Sequence, residues 1–219
     1  MRLFLNMDCM EGMKEYPDDC FDLAIVDPIY GDVTRGGYMT NIDSTQKVAK
    51  VRHYHNSIWN QQKTGAEYFT ELQRVSKNQI IWGGNYFVDN LAPSQCWIVW
   101  DKNNTGRFAD AELAWTSFNK GAKLYHFMWN GMAREGSRKI EGIKRIHPTQ
   151  KPVGLIGQII NDFSKENDLI ADIFGGSGST LIACEQLNRK CYMMEYEPYY
   201  VDVIIERWEN FTGRKAVRI

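Results

Sequence analysis

The segment Asp172-Ile-Phe-Gly-Gly-Ser-Gly-Ser-Thr180 restricts the fold more than any other stretch of the chain. It joins a run of strand character, Asp168–Ile173, to a helical one, Thr180–Leu187, through the turn Phe174–Ser179. Glycines at such a strand-to-helix turn let the backbone reverse tightly and approach a ligand with no Cβ in the way. The turn lacks the Gly-Lys-Ser/Thr ending of a phosphate loop, so a nucleoside triphosphate is not the expected ligand. A dinucleotide fingerprint would place glycine at position 181, where Leu181 stands. Glu195 closes the next strand, Cys191–Glu195, 20 residues beyond Gly175, where a carboxylate can bind both hydroxyls of a ribose. A ribose-bearing ligand is therefore expected, with NAD and S-adenosyl-L-methionine both compatible.

The rest of the chain alternates short β-rich runs with helical patterns, which predicts an α/β fold with a mostly parallel sheet, an antiparallel strand pair and helices on both faces. Phe21–Val26 reads as a buried strand ending at Asp27. Thr64 and Glu67 form a capping-box signature that opens a helix to about Val75. Strands follow at Gln79–Trp82 and Cys96–Trp100, and the aromatic-rich runs Ala111–Phe118 and Lys123–Trp129 are expected to pair antiparallel. Residues 131–145 show no periodicity. A helix from Pro152 carries Val153, Ile156, Ile160 and Phe163 on one side, and a last helix runs from about Pro198 to near Gly213.

With 219 residues, 43% of them hydrophobic, the chain suits one α/β domain over 1–219. No apolar run is long enough to span a bilayer, and Asp8 and Glu11 arrive before a signal-peptide core could form, so no membrane association and a cytoplasmic location are expected. The five cysteines are odd in number and scattered, which predicts reduced thiols and no metal site.

The net charge of −1 conceals a strong asymmetry. Residues 120–151 carry eight lysines and arginines against two glutamates, and residues 45–63 carry four basic side chains and no acid. An acidic body with two basic segments is how a phosphate-binding face appears in sequence. Lys47, Lys50, Arg52, Arg134, Arg138, Lys139, Lys144, Arg145 and His147 are the candidate nucleic-acid contacts, all but His147 within insertions at about 31–63 and 130–146.

Asp27-Pro28-Ile29-Tyr30 follows the first buried strand. An exocyclic amino nitrogen of a nucleobase is a poor nucleophile because its lone pair is delocalised into the ring. Two acceptors against its two N–H groups, the Asp27 carboxylate and a main-chain carbonyl such as that of Pro28, would favour a more tetrahedral nitrogen with its lone pair aimed at a methyl donor. Tyr30 offers a flat face for an extruded base, and Pro28 fixes the turn beyond a strand end, where α/β sheets bind ligands.

Taken together these segments resemble the β-class amino methyltransferases of DNA, in which the catalytic motif precedes the cofactor motif. Asp27-Pro28-Ile29-Tyr30 resembles the family's Asp-Pro-Pro-Tyr, and Phe174-Gly-Gly-Ser-Gly178 its Phe-x-Gly-x-Gly. His147-Pro148-Thr149-Gln150-Lys151-Pro152 is similar to the family's His-Pro-Thr-x-Lys-Pro, and Trp97–Lys102 is a further match. The resemblance implies a Rossmann-like methyltransferase sheet, S-adenosyl-L-methionine as cofactor and double-stranded DNA as partner. It implies methylation of adenine N6, with Asp27, Pro28 and Tyr30 catalytic. The cofactor contacts it implies are Asp8, Cys9, Lys151, Asp172, Phe174, Gly175, Gly176, Ser177, Gly178, Ser179, Thr180 and Glu195. Relatives often form dimers and accompany restriction enzymes, so a homodimer and such a partner are expectations as well.

Ile29 departs from the family pattern, freeing Pro28 from a following proline and adding a backbone N–H, with activity expected to survive. Cytosine N4 is the alternative target, although the family then more often shows Ser in place of Asp27. Cytosine C5 chemistry needs a nucleophilic cysteine, usually after proline, and none of the six prolines precedes one. RNA as substrate, a non-catalytic DNA-binding relative and a NAD-dependent enzyme complete the alternatives, the last with no use for Tyr30.

Overall fold

The computed structural model describes residues 3–31, 63–103, 109–130, 133–141, 147 and 149–217. Eight strands form one sheet in the order β1-β10-β9-β2-β3-β5-β4-β6. They are β1 (Leu3–Asn6), β2 (Leu23–Val26), β3 (Gln79–Trp82), β4 (Ile98–Asp101), β5 (Ala111–Thr116), β6 (Lys123–His126), β9 (Leu169–Asp172) and β10 (Lys190–Glu195). A two-stranded ribbon, β7 (Trp129–Asn130) with β8 (Ala133–Arg134), stands apart. The helices are α1 (Cys9–Lys14), α2 (Ala66–Val75), α3 (Arg138–Glu141), α4 (Val153–Phe163), α5 (Ser179–Gln186) and α6 (Pro198–Thr212).

Every pairing in the large sheet is parallel except the two made by β5, which runs antiparallel to β3 and to β4. The expected ladder between 111–118 and 123–129 does not form, because β4 lies between them: β6 pairs with β4, parallel, from Ile98↔Lys123 to Asp101↔His126. Burial explains the order. In β4, Ile98 and Trp100 are fully buried, which suits an inner strand, whereas in β6 only Tyr125 is buried, which suits an edge.

The two sides of the sheet are covered separately. Ile25, Ile80, Trp82, Ile98 and Trp100 pack with Val153, Ile156, Ile160 and Phe163 of α4, Ile182 of α5 and Ile204 of α6. Val26, Ile81 and Trp115 pack with Met13 of α1 and Tyr68, Phe69 and Leu72 of α2 on the other side. Strands covered on both faces read as continuous apolar runs, as β2 does throughout and β3 does after Gln79, with all four residues buried in each.

The capping box expected at Thr64 is absent: Gly65 is the N-cap of α2 without a side-chain bond. Thr64 turns back, and its backbone N–H and hydroxyl both donate to the Ile29 carbonyl, at 3.1 and 3.2 Å. The side chain that would have closed the helix end thus anchors the loop after β2. Among the described residues no helix is long and apolar enough to cross a membrane.

Candidate active site

β9 and β2 are neighbours, paired Leu23↔Ile170 and Ala24↔Ala171, although they lie far apart in sequence. From β9 the chain passes through α5 to β10 on one side, and from β2 through α2 to β3 on the other. Such a reversal of direction opens a crevice at the carboxyl ends of the two strands, the place where open α/β sheets bind ligands. Asp27 follows β2 and Asp172 ends β9, so both face the same cleft of approximately 1170 Å3.

The glycine turn forms one wall. Gly176 and Gly178 adopt left-handed backbone, φ +53 and +76, and Gly178 is the N-cap of α5. A Cβ on Gly175 would stand 2.9 Å from Met193 Cγ, so only glycine lets the loop lie on β10. Glu195 Oε2 accepts the Gly176 N–H at 2.7 Å and Oε1 accepts that of Glu197 at 2.9 Å. Thr180 and the Phe174 N–H bond the buried Asp172 carboxylate, yet burial, with Asp27 and Glu195 nearby, pushes it up to about 7. Asp8 caps α1 through the N–H groups of Met10 and Glu11 while also lining the cleft beside Cys9. Burial pushes the Cys9 thiol up to about 12, which makes it an inert wall residue.

The other wall carries the tetrapeptide. Asp27 Oδ2 receives the Lys151 ammonium at 2.5 Å, and Asp27 Oδ1 accepts the Tyr30 hydroxyl. Lys151, expected as a cofactor contact, lines the cleft, is 10% exposed and places its ammonium between Asp27 and Glu112, with its Nζ 5.2 Å from the Trp82 ring centre. Tyr30 stacks on Tyr86 at 4.9 Å with an interplanar angle of 27°, so its ring is half of an aromatic pair.

Two side chains outside every motif, those of Arg207 and Glu141, help hold this arrangement. Arg207 of α6 donates to the Ser177 carbonyl at 2.8 Å and to Ser179 Oγ at 3.2 Å, and burial pulls its guanidinium down to about 10. Ser179 Oγ in turn donates to the Lys151 carbonyl at 2.7 Å. Glu141 of α3 accepts the N–H groups of Val153 and Gly154, both at 2.8 Å, and so caps α4 immediately after Lys151-Pro152. Gly83, φ +64, brings its Cα against the Tyr30 ring. A glycine pair closing a strand was a legible signal for Gly83. An acid at position 112 of an otherwise apolar strand equally signals a buried partner, whereas nothing in sequence marks Arg207. Removing its charged hydrogen bonds to the turn, as in Arg207→Met, is expected to raise the cofactor dissociation constant about tenfold. Calorimetric titration that finds the affinity unchanged would show that the turn needs no such support.

His147, expected on a nucleic-acid face, is 7% exposed, accepts the Thr149 N–H through Nδ1 at 3.3 Å and packs edge-on against Tyr200. It lines the cleft beside Gly176. Lys47, Lys50, Arg52, Lys144 and Arg145 lie outside the described residues, and the backbones of Arg134 and of Arg138 and Lys139 belong to β8 and α3.

The N6/N4-type family described as DNA methylase matches residues 21–206. The chain belongs to this family. Over 247 aligned residues the methylase is 28% identical to the type II methyltransferase M.HinfI of Haemophilus influenzae, covering 94% of this chain and 68% of that protein. Its fold is similar to that of M1.HpyAVI solved as a complex with SAM, with TM-score 0.57 and 23% identity over 94% of this chain and all of that one. It is also similar to the cytosine-N4-specific PvuII DNA methyltransferase, with TM-score 0.59 and 18% identity over 94% and 85% of the two chains.

Membership in the methylase family brings the S-adenosyl-L-methionine cofactor, and the cleft fits it. Asp172 and Glu195 are carboxylates held against desolvation, which a ligand bearing a sulfonium and an ammonium would relieve. The Tyr68 hydroxyl, buried on the same side near Asp172, has no hydrogen-bond partner among the described residues. With Asp172 raised to about 7, a cation seated against it would be attracted fully only well above that pH and would lose the attraction as pH falls through it. The cofactor dissociation constant of the methylase is therefore expected to rise between about pH 8 and 6, steepening toward tenfold per unit at the acid end. Asp172→Asn should bind weakly with no such dependence; a wild-type affinity flat over that range would contradict the assignment.

Proposed function

We propose that the methylase transfers a methyl group to the exocyclic N6 of an adenine extruded from duplex DNA, with Asp27, Pro28 and Tyr30 as its catalytic residues. The observation that carries this reading is the shared cleft: Asp27 after β2 and the glycine turn after β9 open into one space because their strands are adjacent. When bound, S-adenosyl-L-methionine supplies an electrophilic methyl on a sulfonium. Asp27 and the Pro28 carbonyl accept the two amino N–H groups, which restores the nitrogen lone pair, and Asp27 takes the proton released on transfer. The Tyr30 hydroxyl holds the Asp27 oxygen that the amino group needs, so entry of a base displaces that hydroxyl while the Tyr30 and Tyr86 rings receive its face. Flipping frees the amino group from pairing and places it against the part-buried Asp27 carboxylate and the carbonyl of the buried Pro28.

The segments 31–63 and 130–146 would contact the duplex, and their basic residues would bind its phosphates. The test is expression in a host without DNA methylases, followed by nucleoside analysis of the host DNA. N6-methyladenine is expected. N4-methylcytosine would reassign the base within the same chemistry, and methylated RNA with unmodified DNA would reassign the nucleic acid.

A further inference from the structure

The ion pair on Asp27 does not stand alone. Glu112, the second residue of β5, receives the Lys151 ammonium on Oε2 at 3.3 Å and the Lys102 ammonium on Oε1 at 2.5 Å. Lys102 follows β4, directly across from β5, and its Nζ lies 5.0 Å from the Trp100 ring centre. The result is a line of alternating charge, Lys102, Glu112, Lys151, Asp27, that ends on the Tyr30 hydroxyl. The line crosses four separate segments of the chain, so no local turn explains it.

An enclosed ammonium is costly unless its donors are matched. Lys151 satisfies this with Asp27 on one side, Glu112 on the other and the face of Trp82 beneath. With Asp27 as its sole anion it could turn to satisfy more than one donor on the same carboxylate, and the second Asp27 oxygen would no longer be left for a base. We propose that Glu112 is a positioning residue for methyl transfer, which holds the Lys151 ammonium on one oxygen of Asp27 and thereby reserves the other oxygen for the target amino group. This rests on the reading of Asp27 as the catalytic carboxylate.

The charge on Lys151 follows from the same contacts. Burial acts to lower its proton affinity, and Asp27 and Glu112 more than restore it, which keeps the group protonated above the ordinary lysine range. Those two carboxylates, the Tyr30 hydroxyl and, beyond Glu112, the Lys102 ammonium are the titratable groups along this line. Removing the Glu112 charge lets the lysine lose its proton at lower pH, whereas removing Lys102 leaves Glu112 wholly to Lys151.

The experiment is a single-turnover measurement with S-adenosyl-L-methionine saturating, on a duplex carrying the site found methylated in the expression host. Wild type and Lys102→Met are expected to give rates that stay level between about pH 8 and 9.5. Glu112→Gln should bind the cofactor as wild type does, transfer methyl about 10- to 100-fold more slowly at pH 8, and slow further toward pH 9.5. Glu112→Asp, which restores the charge one methylene short, should recover the level profile. A Glu112→Gln rate within twofold of wild type, a loss identical at both pH values, or a loss of cofactor binding would each overturn the proposal. If Asp27→Ala itself retains the wild-type rate, the underlying reading fails instead, whatever Glu112 does.

Discussion

Asp27→Ala is expected to bind S-adenosyl-L-methionine with close to wild-type affinity while its methyl-transfer rate falls by at least about 100- to 1000-fold. The two oxygens of the Asp27 carboxylate are held by the Lys151 ammonium and the Tyr30 hydroxyl, and neither group belongs to the glycine turn, which bonds Glu195 and Arg207 and meets Lys151 at its main-chain carbonyl. The variant should fold, because Lys151 keeps Glu112 as a counter-ion and Val26 and Pro28 remain buried around the position. What disappears is the acceptor that localises the amino lone pair, and the loss should appear in kcat with a nearly unchanged KM for the cofactor. Equal rates for variant and wild type in a single-turnover assay would remove Asp27 from the chemistry.

The second large effect is expected at Gly83. Its φ of +64 is a conformation in which a Cβ costs about 1 kcal/mol. More important here, that Cβ would stand 2.3 Å from Tyr30 Cε1 and 2.4 Å from Cζ. The backbone cannot retreat, because the Gly83 N–H donates to the Leu113 carbonyl at 2.8 Å and fixes the end of β3 to β5. In Gly83→Ala the tyrosine must therefore leave, taking its ring off Tyr86 and its hydroxyl off Asp27. A fall in transfer rate of about 100-fold with unchanged cofactor affinity is expected, since a misplacement of about 1 Å at a reacting centre has that consequence. A Gly83→Ala protein with wild-type turnover would mean that the Tyr30 ring has no fixed role.

Sequence alone carried the elements whose signals are local. The glycine turn, the strand before it and Glu195 were readable because each follows from what a few adjacent residues can do, and the helix α6 announced itself by Pro198 at its start and Gly213 just past its end. Strand order was not readable. Nothing near Asp27 or Asp172 states that β2 and β9 are adjacent, and nothing in 111–126 states that β4 enters between β5 and β6. Long-range pairing also governs the side chains that were missed. Glu112 acquires meaning only when Lys102 and Lys151 arrive from other segments, and Arg207 only when α6 packs beside the turn. The same cause gives Lys151, expected as a cofactor contact, an ion pair with Asp27, and turns Thr64 from a helix cap into a brace for Ile29.

On the proposed function, the Asp27 loop and the glycine turn form one site that methylates an amino group of DNA. This is tested most directly by incubating the protein with S-adenosyl-L-methionine labelled in its methyl group and unmethylated, amplified duplex DNA, then digesting the product to nucleosides. Label is expected in N6-methyladenine and nowhere else, in amounts that Asp27→Ala does not produce. Label absent from every nucleoside, or present at a ring carbon instead of an exocyclic nitrogen, would contradict it.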